Sequence, residues 1–211
     1  MTIASTAALV LPLPTLQGER CLLRAYTASD APVLRELADN PDVSFNLFEG
    51  FPSPYLAEHA EAWCDHEANS GEFGYVWAVT VDGVLAGTVG LQQLERPSNR
   101  CNAELGYWLG ESWWRRGIAS DAVRQVTDWA FAALPQITRM YAAIYARNEA
   151  SQAVARKCGY VREGLQKHSV IKYGEVIDSV VWAAYRTEIA RRDANIGAAL
   201  AATAATAMER A

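Results

Sequence analysis

The run Trp113-Trp114-Arg115-Arg116-Gly117-Ile118-Ala119-Ser120 sets two guanidinium groups and a glycine just ahead of a segment with helical spacing, a pattern suited to holding a phosphate. Gly117 lets the backbone approach a ligand with no side chain in the way. The first amides of the helix that follows have no intrahelical acceptor and lie at the positive end of its dipole. Main-chain groups alone can therefore bind an anion there. The same run also fits an ordinary polar turn with two solvated arginines. It is not a Walker loop, which needs spaced glycines and a Lys-Ser/Thr pair, nor a dinucleotide fingerprint, which needs a second glycine two residues before Gly117.

Such residues need elements to hold them. Ala103-Glu104-Leu105-Gly106-Tyr107-Trp108-Leu109 reads as a strand entering the run, and Ile118, Ala119, Ala122, Val123, Val126, Trp129, Ala130 and Ala133 recur at helical spacing behind it. Upstream, residues 20–24 form a short strand. A helix follows, capped by Ser29 or Asp30, with Pro32 in its first turn and Val33, Leu34, Leu37 and Ala38 as its inner stripe. Asn40-Pro41-Asp42 closes it, and residues 43–51 are an irregular, aromatic, substrate-facing loop. Ser53-Pro54 opens a second helix on which Leu56, Ala60 and Trp63 face one way. Residues 74–81 and 84–91 pair across Asp82-Gly83, a strong hairpin signal. Downstream, Pro135 ends the long helix and residues 137–145 are a strand. Arg147-Asn148-Glu149-Ala150-Ser151 leads into a short helix that Gly159 terminates. Residues 161–171 and 175–184 are strands joined at Tyr173-Gly174. The order predicts an α+β (mixed α/β) domain, with helices on both faces of a mainly antiparallel sheet of six to seven strands. Residues 1–17 read as a flexible lead-in, 18–188 as the folded domain and 189–211 as an alanine-rich tail.

Composition narrows the class. The 211 residues are 51% hydrophobic and 20% charged, ordinary for a globular protein. With 19 basic and 24 acidic residues the net charge is -5, and no Lys/Arg stripe is present, which argues against nucleic acid and fits an amine-bearing partner. Cys21, Cys64, Cys101 and Cys158 are scattered, without the spacing of a metal site or a disulfide framework, so they read as reduced packing residues of a cytoplasmic protein. No signal peptide or membrane span is expected. His59, His66 and His168 belong to no motif and read as surface residues.

Three segments taken jointly resemble the GNAT superfamily of acyl-CoA-dependent N-acyltransferases, and within it the RimJ/RimL-like subgroup that acetylates ribosomal-protein N-terminal alanines. They are residues 103–109, Trp114-Arg115-Arg116-Gly117-Ile118-Ala119, and Asn148-Glu149-Ala150-Ser151 followed by Cys158-Gly159-Tyr160 and Glu163-Gly164. The likeness spans roughly residues 18–188. It implies a GNAT fold with acetyl-CoA as co-substrate and no metal. Arg115, Arg116, Gly117, Ile118, Ala119 and Ser120 would bind the pyrophosphate, and the strand through Tyr107, Trp108 and Leu109 would pair with the pantetheine arm. An amide near Tyr107 or Trp108 would polarise the thioester oxygen. The family's loop begins with Gln or Arg where this chain has Trp114, and its usual acidic Tyr falls on Ala155. The resemblance then leaves Ser151, beside Asn148, to hydrogen-bond the departing sulfur, and Glu104 to draw a proton from the amine, with Asp178 and Tyr173 as fallback bases.

The implied activity is transfer of an acetyl group to a primary amine, either a protein N-terminus or a small molecule, with a homodimer compatible. Phe45, Leu47, Phe48, Trp63, Trp77 and Tyr173, with Glu49 nearby, would wall the acceptor pocket. Two alternatives stand: a longer donor such as succinyl-CoA, and a non-catalytic acyl-CoA-binding module, which the alanine at position 155 favours.

Overall fold

Alternating apolar residues in the strands leave a single sheet with a core on each face. The computed structural model describes residues 12–187, apart from positions 66, 73, 95 and 97. His66, most of the lead-in and the alanine-rich tail lie outside the described residues. The strands are β1 (Leu16–Gln17), β2 (Leu22–Arg24), β3 (Tyr75–Val81), β4 (Val84–Gln93), β5 (Asn102–Leu109), β6 (Arg139–Tyr145), β7 (Val161–Lys172) and β8 (Glu175–Tyr185). They lie in the order β1-β2-β3-β4-β5-β6-β8-β7, antiparallel throughout except for the parallel pair β5 and β6. The sheet thus has the expected mainly antiparallel character and one strand more than expected. That strand, β1, has only two residues, too few to show any alternation in sequence.

Among the described residues, five α-helices accompany the sheet: α1 (Ala31–Ala38), α2 (Pro41–Ser44), α3 (Ala57–Asp65), α4 (Ile118–Ala133) and α5 (Glu149–Lys157). The single turn α2 replaces part of the loop expected over residues 43–51. Asn40, expected to close α1, instead caps α2 by accepting the Asp42 amide at 2.8 Å, and Pro41 supplies its first position. Leu56 precedes α3 and is 43% exposed, so Ala60 and Cys64 carry the buried side of that helix. Both hairpin turns have two residues at positive φ, Asp82 (50°) with Gly83 (80°) and Tyr173 (53°) with Gly174 (78°), the geometry that matches the twist of paired strands.

Period-2 alternation divides the strand residues between the two faces. Leu23, Trp77, Val89, Leu105, Met140 and Trp182 meet α4 and α5 in the larger core. Tyr26, Val76, Ala78 and Leu85 meet α1 and α3 in the smaller one. This alternation overturns the placement of Trp77 in the acceptor pocket. Trp77 is fully buried in the larger core, stacked 6.1 Å from Tyr75 and edge-on to Trp129 at 5.1 Å, with its indole N–H donating to the Pro14 carbonyl at 2.7 Å. Truncating it to alanine would cost about 3–5 kcal/mol of stability. Trp63 also packs into a core, the smaller one, edge-on to Tyr26 at 6.3 Å.

β5 pairs with β6 only through Asn102↔Arg139, Ala103↔Met140 and Glu104↔Tyr141. Beyond Glu104, β5 continues against β4 as far as Leu109, and β6 continues against β8 as far as Tyr145. The two strands therefore diverge into a notch with Glu104 and Tyr141 at its apex.

Candidate active site

The run that follows β5 bends sharply before α4. Arg115 has φ of 62° and Gly117 φ of 76°. Left-handed residues on either side of Arg116 turn successive amides inward, the backbone arrangement of an anion-binding nest. Gly117 is the N-cap of α4 and no side chain caps that end, so the first helical amides are open to a ligand. Arg115 and Arg116 are exposed, Arg116 lying over the Trp113 ring at 5.1 Å, while Ile118 and Ser120 are buried and face such a ligand only through their main chain. Trp114, the departure from the family pattern, has a structural role: its indole N–H donates to the Leu109 carbonyl at 2.8 Å and ties the loop to the end of β5.

A residue that sequence reasoning missed joins the loop. The Arg20 guanidinium donates to the Arg116 carbonyl at 3.4 Å, and a Cβ at Gly117 would lie 3.1 Å from Arg20 Nε. The buried Asp121 carboxylate fixes this approach by accepting the amides of Arg20 and Cys21 at 3.0 and 3.2 Å. Burial, then the neighbouring Asp121 charge, push the Cys21 thiol up to about 12, so it stays protonated.

Main-chain alternation shows which β5 groups face the notch. The Gly110 amide donates to the Ala86 carbonyl, and the unbroken register Gly87↔Leu109 through Gln92↔Glu104 turns the groups of Trp108, Gly106 and Glu104 toward β4. The groups of Leu105, Tyr107 and Leu109 point the other way, into the notch. Of the two amides named by the resemblance, that of Tyr107 points into the notch and that of Trp108 toward β4. The Trp108 side chain lies instead on the smaller-core face, 5.9 Å from Phe51.

Two hydroxyl contacts flank the notch, one on each face. On the smaller-core face the Tyr141 hydroxyl donates to Glu104 Oε2 at 3.0 Å, and the Arg139 guanidinium sits 4.7 Å over the Tyr141 ring. Burial and then the Glu104 charge push this phenol up to about 12, which keeps it a donor. On the larger-core face Ser151 stands in the first turn of α5, its amide capped by Asn148 Oδ1 at 3.1 Å. Its hydroxyl donates to the Tyr107 hydroxyl at 2.9 Å, and the Tyr107 hydroxyl donates to the Ser151 carbonyl at 3.0 Å. Ala155 is buried in the core beneath and offers no hydroxyl. Sequence reasoning named Glu104, Ser151 and Tyr107 but neither Tyr141 nor any role for the Tyr107 side chain.

The aromatic loop is ordered through its carbonyl groups. Arg147 donates to the Phe45 carbonyl at 2.8 Å, the Tyr145 hydroxyl to that of Leu47 at 2.9 Å, and the buried Lys172 ammonium to that of Phe48 at 3.2 Å. The β7–β8 turn closes on the same loop: the Tyr173 amide donates to Glu49 Oε2 at 2.8 Å, and its hydroxyl pairs with Ser44 Oγ at 2.9 Å. The Ser44 contact leads the effects that hold the Tyr173 phenol below its ordinary range. Phe45, Phe48 and Tyr173 are exposed. Asp178, the other fallback base, accepts the His168 amide at 2.8 Å and braces an irregularity in β7. His168 is exposed, whereas His59 is half-buried and accepts the Leu56 amide through Nδ1 at 3.0 Å.

Residues 20–161 match the family model described as the acetyltransferase (GNAT) domain. The chain belongs to the GNAT acetyltransferase family. It is an acyl-CoA-dependent N-acetyltransferase. Among relatives of this GNAT protein is the uncharacterized N-acetyltransferase YoaA of Bacillus subtilis (strain 168), 25% identical over 80% of this chain and 95% of that one. The L-amino acid N-acetyltransferase AaaT of Escherichia coli (strain K12) is 23% identical over 75% of this chain and 93% of its own length. The fold is shared with Mycobacterium smegmatis RimJ, solved in complex with CoA-disulfide, at a TM-score of 0.71 and 21% identity over 82% of this chain and 88% of that chain.

Proposed function

We propose that the protein moves an acetyl group from acetyl-CoA to a primary amine, foremost a protein N-terminus, by direct attack in a ternary complex at the β5–β6 notch. The observation that carries this reading is the parting of β5 from β6 immediately after Glu104. It leaves a strand edge free to pair with an extended arm, an open helix end at one limit and a carboxylate at the other.

Acetyl-CoA supplies an activated thioester, and the site's residues fit it. The amides of residues 116–120, with Arg115, Arg116 and Arg20, suit a pyrophosphate, and the edges of Leu105, Tyr107 and Leu109 suit the pantetheine amides. The Tyr107 amide is placed to polarise the thioester oxygen. Glu104 takes a proton from the incoming ammonium, so that nitrogen carries a lone pair to the carbonyl carbon, and Tyr141 orients that carboxylate. Ser151 hydrogen-bonds the sulfur as it leaves. Glu104 lies on the smaller-core face beside the latched aromatic loop and Ser151 on the opposite face, so amine and thiol have separate routes. The RimJ/RimL-like resemblance of the sequence favours a protein N-terminus, and the likeness to AaaT keeps amino acids within range. The scattered cysteines, without the spacing of a disulfide framework, suit a cytoplasmic setting.

Ala155 favours a second reading, a silent acyl-CoA-binding module. Incubation with acetyl-CoA and a panel of N-terminal peptides, amino acids and polyamines, followed by free thiol, separates the two. Amine-dependent thiol release is expected; coenzyme A binding without it across the panel would support the silent module. Succinyl-CoA in the same assay tests the longer donor.

A further inference from the structure

The Tyr107 side chain has no part in the scheme above. It extends from the arm of the notch formed by β5, and Ser151 belongs to the helix that follows β6, so their contact bridges the opening on the larger-core face. The phenol oxygen lies 2.9 Å from Ser151 Oγ and 3.0 Å from the Ser151 carbonyl oxygen. Rotation of one O–H bond, with no movement of the ring, switches its hydrogen between these two acceptors.

We propose that Tyr107 is a positioning residue that makes Ser151 an effective donor to the departing thiolate, the two hydroxyls acting as a unit where Ala155 supplies none. This rests on the reading of the notch as the coenzyme A site. In the arrangement described, the Ser151 hydrogen is directed to Tyr107 and the Tyr107 hydrogen to the Ser151 carbonyl. When sulfur departs, the Ser151 O–H turns to it, and the Tyr107 O–H turns from the carbonyl to Ser151 Oγ. Ser151 then donates to sulfur while accepting from Tyr107, and each hydrogen bond polarises the next. The C–S bond electrons stay on sulfur, which is neutralised by one of the two protons that the ammonium gives up on becoming an amide. No proton is lost from Tyr107: burial pushes its phenol above the ordinary range, so phenolate is disfavoured and the hydroxyl stays a donor.

A bridge that merely braces the fold would support stability without touching the ionisation of sulfur. The test is therefore the titration of coenzyme A bound to the full-length protein, followed by ultraviolet thiolate absorbance. Wild type, Tyr107→Phe, Ser151→Ala and the double variant are compared, with coenzyme A affinity measured alongside by calorimetry. The expected result is a bound thiol that ionises at lower pH than free coenzyme A in wild type, with each single variant losing roughly ten-fold in this equilibrium and the double variant no more than the larger single loss. Affinity for acetyl-CoA should change little, and Tyr107→Phe keeps the ring that fills the core. A bound thiol shifted in wild type and in Tyr107→Phe alike, but not in Ser151→Ala, overturns the role of Tyr107 and leaves Ser151 standing. Losses that multiply in the double variant overturn the unit. Failure of coenzyme A to bind wild type overturns the notch reading itself.

Discussion

The two sides of the notch are built by different means. On the proposed donor side the groups turned into the notch belong to the main chain: the edges of Leu105, Tyr107 and Leu109, and the amides that follow Arg115 at its positive φ. On the proposed acceptor side, side chains from β6, its following turn and the β7–β8 hairpin hold a loop by its carbonyls, at Phe45, Leu47 and Phe48. A ligand-binding surface made of backbone tolerates side-chain substitution, and at Trp114 the indole in place of Gln or Arg anchors the loop to the Leu109 carbonyl. A surface that side chains hold in place can be retuned by changing any one of them. On the proposed reading, donor identity rests on the fold and acceptor identity on a set of replaceable contacts.

This contrast predicts which changes separate the two halves. The largest effect should come at the apex: Glu104→Gln should lower kcat by roughly 100-fold or more with acetyl-CoA affinity unchanged, since only proton removal is lost. Wild-type kcat in that variant would remove Glu104 from the chemistry. Next, Gly117→Val places a β-branched residue at φ of 76° and a Cβ against Arg20, and should weaken coenzyme A binding roughly 10- to 100-fold by calorimetry. Smaller again, Lys172→Met leaves the Phe48 carbonyl without its donor. It should raise the acceptor KM roughly five-fold while sparing donor affinity, and a change in donor affinity instead would blur the division of labour.

The smallest effect is on stability alone. Burial by itself would raise the Asp30 carboxyl, but hydrogen bonds from Arg24 and Thr27 outweigh it and hold the group below its usual range. Because the folded value is depressed, the contribution of Asp30 is complete above the unfolded value near 4 and fades as pH falls through the lower folded value. Asp30→Asn should cost about 1 kcal/mol in denaturant melts at pH 7, and the two proteins should converge as pH falls through the depressed folded value. Activity at neutral pH should not move.

Legibility in the sequence follows the same division. Gly117, the helix behind it and both hairpins are readable because periodicity, caps and turns are local, whereas Glu104 and Ser151 are singled out only by the family resemblance. Arg20 escaped notice because the loop it braces lies 96 residues away at Arg116. Tyr141 became significant only through β5–β6 register, and Lys172, Tyr145 and Arg147 through contacts with a loop about a hundred residues upstream. Trp77 was misplaced although its signal was present: alternation along β3 puts it with Tyr75 and Val79 in the larger core. The choice between the Tyr107 and Trp108 amides needed the pairing of β5 with β4, which no motif encodes.

The most direct test is a coenzyme A titration of the uniformly labelled protein followed through assigned backbone amides. The amides of Leu105, Tyr107, Leu109 and residues 116–120 should shift and become protected from exchange, while those of residues 45–51 stay largely unmoved. Strong perturbation of residues 45–51, with the β5 edge and the α4 end silent, would contradict a donor site made of main chain in the β5–β6 notch.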